Sequence, residues 1–85
     1  MDEKLMICIH YGYTNSLKCL IPSIGYNLGI SLNDPELYTK IINVIKINKI
    51  EKLYLDGTLG IIQEIAFNLA TLIPDINIEI KDLED

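Results

Sequence analysis

Residues Lys49–Ile73, KIEKLYLDGTLGIIQEIAFNLATLI, decide the fold. Ile50, Leu53 and Leu55 are apolar, and Tyr54 also favours a pleated surface. The run is short and stops at Asp56-Gly57, a strong break signal. From Leu59 onward the apolar residues fall at Leu59, Ile62, Ile65, Ala66, Leu69, Leu72 and Ile73. That three-and-four spacing makes one face of a helix. Thr58 or Asp56 is placed to accept from the free amides of its first turn, and Pro74 closes it, because a residue before proline avoids the α region. The stretch therefore reads as strand, tight turn, helix. Ile61 widens the apolar stripe, and Phe67 falls outside it.

Working outward, Leu5-Met6-Ile7-Cys8-Ile9 is continuously apolar. A strand apolar on both faces belongs in the centre of a parallel sheet covered by helices on two sides. His10–Ser16 reads as a loop. Over residues 16–29, Leu17, Leu20, Ile21, Ile24 and Leu28 fit a helix face, interrupted by Pro22 and Gly25. A short or kinked helix is expected there. The competing reading is a hairpin in which residues 16–22 form a strand, with Leu17, Cys19 and Ile21 alternating. Asn33-Asp34-Pro35-Glu36 is a helix start, with an Asx cap, a proline in the first turn and an acid behind it. Leu37, Tyr38, Ile41, Ile42, Val44 and Ile45 supply that helix's apolar face, and Glu36–Lys40 is a supportive pair. Ile76-Asn77-Ile78-Glu79-Ile80 alternates as a final strand with one solvated face or an edge position.

Strands alternating with helices predict an α/β fold in one domain spanning residues 1–85, a small three-stranded parallel sheet with helices on its faces. The order 2-1-3 puts the doubly apolar strand in the middle and the alternating strand at an edge. It also makes a topological switch point beside the first strand, where open α/β sheets bind ligands. The hairpin reading gives ββαβαβ instead.

Composition narrows the function classes. Seven lysines against 12 acidic residues give a net charge of −5, and arginine is absent. Such a chain repels phosphate backbones and has no guanidinium to fork onto a base edge, so nucleic-acid binding is not expected. The Met1-Asp2-Glu3-Lys4 start is acidic where a signal peptide needs positive charge, and apolar runs are far too short to span a bilayer. A cytoplasmic protein without membrane association is expected. Cys8 and Cys19 match no zinc or redox spacing and read as small apolar residues. No metal or cofactor is assigned.

In this topology the strand ends deliver His10-Tyr11-Gly12, Asp56-Gly57-Thr58 and Lys81-Asp82 to one edge. His10 and Asp56 are the catalytic candidates, since imidazole changes charge near neutral pH. Tyr11, Gly12, Gly57 and Thr58 are the ligand-binding candidates. Gly57-Thr58-Leu59-Gly60 offers free helix-start amides to an anion, although it lacks the spacing and the Lys-Ser/Thr pair of a P-loop. A well-capped turn explains the same residues. Converging His10, Asp56 and Asp82 would give an open metal site; Ser16, His10 and Asp56 lack the elbow motif of a triad.

Tyr54-Leu55-Asp56-Gly57-Thr58-Leu59 is similar over six residues to the first motif of haloacid-dehalogenase-type phosphatases, Asp-x-Asp-Gly-Thr-Leu/Val. Tyr54 stands where that family has its nucleophilic aspartate. The covalent chemistry is lost, and the short resemblance carries no membership.

Two functions follow. One is a small acidic interaction or regulatory module. It binds a protein partner or itself, with a homodimer expected and Phe67 and Ile61 at the interface, because surplus apolar surface is most economically hidden by self-association. The other is a Rossmann-like ligand-binding domain or enzyme for a nucleotide or phosphorylated ligand. It would use His10 and Asp56, with Lys18 or Lys81 supplying positive charge.

Overall fold

A computed structural model describes residues 5–12 and 15–82. The fold is mixed α/β. Five strands, β1 (Met6–Tyr11), β2 (Ser16–Ile21), β3 (Tyr26–Ser31), β4 (Lys52–Gly57) and β5 (Asn77–Asp82), form one sheet in the order β3-β2-β1-β4-β5. Two helices, α1 (Leu37–Ile47) and α2 (Leu59–Leu72), complete it. β1, β4 and β5 are parallel, whereas β1, β2 and β3 form an antiparallel meander. Among the described residues no helix is long and apolar enough to cross a membrane.

Three expectations are corrected. The sheet has five strands rather than three, because residues 16–31 form a hairpin and not a kinked helix. The reason is local. Leu17, Cys19 and Ile21 are buried with the period of two that only a strand gives. Pro22 opens a single 3₁₀ turn over Pro22–Ile24, and Gly25 ends it at φ 69°, in the left-handed region. The hairpin alternative placed β2 but not its partner β3.

Second, the parallel strands run β1-β4-β5 and not in the expected order β4-β1-β5. Both crossovers step the same way, so right-handed connections place α1 and α2 on the same face. No switch point arises among these strands. Third, β1 is central, but only one of its faces is covered. Ile7 and Ile9 are fully buried, whereas Met6, Cys8 and His10 remain half-buried on the other side.

The core lies between the sheet and the helices. Ile7, Ile9, Leu17, Cys19, Ile21, Leu53 and Leu55 meet Leu37, Ile41, Val44 and Ile45 of α1 and Ile62, Ile65, Ala66 and Leu69 of α2. The helix-start signal at residues 33–36 is realised one step differently from its expected form. Asp34 Oδ1 accepts from the Glu36 amide at 2.8 Å, and Lys40 donates to Asp34 at 2.5 Å rather than pairing with Glu36. At α2 the expected cap from Thr58 or Asp56 is not formed. The Thr58 side chain makes no capping bond, and Asp56 is engaged elsewhere.

Candidate functional site

Strand register brings the candidate site together. Side chains opposite one another across paired strands share a face. One row across the five strands holds Gly29, Lys18, His10, Asp56 and Lys81; the next holds Asn27, Leu20, Cys8, Tyr54 and Glu79. Both rows lie on the face without helices.

His10 and Asp56 are 46 residues apart in sequence, and parallel pairing of β1 with β4 sets them side by side. His10 Nδ1 donates to Asp56 Oδ1 at 2.5 Å. A carboxylate accepts, so in this bond the proton sits on Nδ1. Nε2 lies beside Gly12, where a Cβ would stand 3.6 Å away. Chemically, this is an imidazole ring oriented by a carboxylate. Lys18 and Lys81 occupy the flanking row positions, and Lys52 Nζ pairs diagonally across β4 and β5 with Glu79 of the neighbouring row at 2.9 Å.

The other candidates divide. Tyr11 turns toward the core and packs against it. Gly57 is required by the backbone. Its φ is +130°, and a Cβ there would lie 2.2 Å from the Tyr11 carbonyl oxygen. That approach seats the end of β4 against the end of β1, immediately beyond the His10–Asp56 pair. Thr58 is exposed at the start of α2. Ile61 packs partly against the core, whereas Phe67 is 72% exposed. Ser16 starts β2, on the same face as Lys18. Tyr13, in the segment read from sequence as a loop after β1, lies outside the described residues. Among the described residues no group of three or more His, Cys, Asp or Glu side chains is placed to hold a metal ion.

Cys8, Leu20 and Tyr54 are members of this surface that the sequence reading missed. Alternation within the neighbouring strands was the available signal: Lys52, Tyr54 and Asp56 interleave with Leu53 and Leu55. The Cys8 thiol is pushed above its ordinary pKa, first by burial and then by the Asp56 charge. Cys19, on the covered face, is pushed up to about 12 by burial. Neither environment favours a thiolate nucleophile.

The pair sits on an open sheet rather than in a cavity. A cleft of about 530 Å³ lies at the opposite end of the parallel strands, lined by Met6, Ile50, Lys52, Ile73, Asp75 and Asn77 among others. No protein-family model, curated protein or solved structure matches this chain.

Proposed function

We propose that the protein is a small interaction module that works by self-association, without catalysis. One observation carries this reading. Three large apolar side chains left exposed after folding belong to the last helix–strand unit: Phe67 at 72%, Leu72 at 54% and Ile80 at 41%. Asn68 Nδ2 donates to Tyr38 Oη at 2.8 Å, so that flank of α2 faces α1. Phe67, about 100° around the helix, is turned away from that contact, on the outer side of α2. A small domain gains by covering such surface.

The test is light scattering from micromolar to millimolar concentration. The expected result is a dimer that Phe67→Glu dissociates while the far-ultraviolet circular dichroism stays native. A monomer throughout that range removes the reading.

A second reading is kept because of the 2.5 Å His10–Asp56 bond. It makes the open face a binding site for a small phosphorylated ligand, with Lys18 and Lys81 neutralising the anion. Titrating inorganic phosphate or a nucleotide while following the His10 ring resonances tests it. Saturable shifts that vanish in Lys18→Ala support it, and an unmoved ring at millimolar ligand rejects it.

A further inference from the structure

We infer that a second copy of this chain docks antiparallel along the free edge of β5, with Ile80 opposite the partner's Ile80 on a twofold axis. The inference rests on the self-association proposed above and specifies its surface and register.

Backbone direction comes first. The Asn77 amide donates to Glu51 O at 3.3 Å, so residue 77 points its hydrogen-bonding groups toward β4. Alternation then turns those of Glu79 and Lys81 toward β4 and those of Ile78 and Ile80 outward. In an antiparallel pair, the residues that exchange both bonds must be outward-facing ones. Ile80 opposite the partner's Ile80 meets that condition, with two bonds across the axis.

Charge then selects the register. With Ile80 on the axis, Glu79 faces the partner's Lys81 and Lys81 faces the partner's Glu79, both at the closer, non-hydrogen-bonded positions. Moving the axis by one residue, a two-residue slide of the strands, sets Glu79 against the partner's Glu79, or Lys81 against the partner's Lys81. Among the described residues Lys81 makes no ion pair that would compete. Glu79 already meets Lys52 at 2.9 Å but keeps a second carboxylate oxygen.

Geometry above the sheet agrees. α2 packs over both β4 and β5. Adjacent strands lie about 4.8 Å apart, so a seam at β5 puts the two α2 helices about 10 Å apart, within helix-packing distance. Phe67 is exposed on the outer side of α2 beside this contact. Ile80 gains an apolar neighbour directly opposite.

Charge reversal tests the register by sedimentation equilibrium on the full chain. Lys81→Glu leaves the Lys52–Glu79 pair in place and sets two carboxylates against two others, so the dimer dissociation constant should rise about tenfold or more. Glu79→Lys should also weaken the dimer. Glu79→Lys/Lys81→Glu restores opposite charges, and its dimer should be tighter than that of either single variant. Ile80→Pro removes an outward amide that β4 does not use, so it should abolish the dimer and keep the fold; should it unfold, the charge series decides alone. A dimer unchanged by both single reversals overturns the β5 register and leaves self-association standing. A wild-type monomer at millimolar concentration overturns both.

Discussion

The two faces of the sheet are built from the same strands and obey different rules. The helix-covered face is apolar and closed: Ile7, Ile9, Leu17, Cys19, Leu53 and Leu55 are all fully buried. The other face mixes Met6, Cys8, Leu20 and Tyr54 with His10, Asp56, Lys18, Lys52, Glu79 and Lys81. Its apolar members are only half-shielded, by their neighbours in the sheet. Stability therefore resides mainly between the sheet and the helices, and the open face is free to carry polar pairs whose removal leaves the fold standing.

The sharpest way to break this contrast is a pair of truncations one residue apart. Leu53→Ala opens a cavity in the closed core and should cost about 2–5 kcal/mol. Tyr54→Ala, on the open face, should cost about 1 kcal/mol or less. Denaturant unfolding measures both, and equal losses would mean that the open face is covered after all.

The two thiols sharpen the same contrast. In the native protein Cys19 should resist alkylation at neutral pH, because it is buried and its thiolate is strongly disfavoured. Cys8 should react slowly, and faster as pH rises. Asp56→Asn removes the smaller of the two causes raising the Cys8 pKa and should give a modest acceleration at fixed pH. Mass spectrometry of the labelled chain separates the sites. Faster labelling of Cys19 than of Cys8 would reverse the assignment of faces.

The smallest effect lies away from the sheet, at the start of α1. The ammonium of Lys40 and the Glu36 amide hold the Asp34 carboxyl below its ordinary pKa, and Asp34 in turn raises that of Lys40. The Asp34 contribution to stability is present above its unfolded pKa and is lost as pH falls through the lowered folded value. The Lys40 contribution is complete below its unfolded pKa and is lost as pH rises through the raised folded value. Asp34→Asn keeps a capping side chain, so its melting temperature should sit slightly below wild type near neutral pH and converge with it in acid. The pair is exposed, and salt should shrink the difference. A gap that persists in strong acid would assign the effect to capping and not to charge.

The sequence was most legible where pattern and punctuation agreed. Lys49–Ile73 reads as strand, turn and helix because Asp56-Gly57 breaks one periodicity where another begins, and the structure has β4 and α2 there. Residues 16–29 were ambiguous because Leu17, Leu20, Ile21, Ile24 and Leu28 satisfy a helical spacing while Leu17, Cys19 and Ile21 satisfy a strand's. Pairing with β1 decided between them, and that is a tertiary fact. The same limit hid the open face. A continuous apolar run such as Leu5–Ile9 states that both faces of a strand avoid water, but not whether a helix or the neighbouring side chains of the sheet provide the shelter. For the candidate site, the residue types at the strand ends were readable, and the parallel register of β1 with β4 then set the distance between His10 and Asp56.

That register also has a consequence for the order of folding. β1, β2 and β3 are sequential antiparallel neighbours, and β4 joins β5 through α2, so each half of the chain can form from contacts closer in sequence. The seam between β1 and β4 joins residues 46 positions apart, and chain closure over that distance comes late. The His10–Asp56 bond crosses this seam. It marks completion of the sheet, and a histidine ring signal that changes with the slowest refolding phase would time the docking of the two halves.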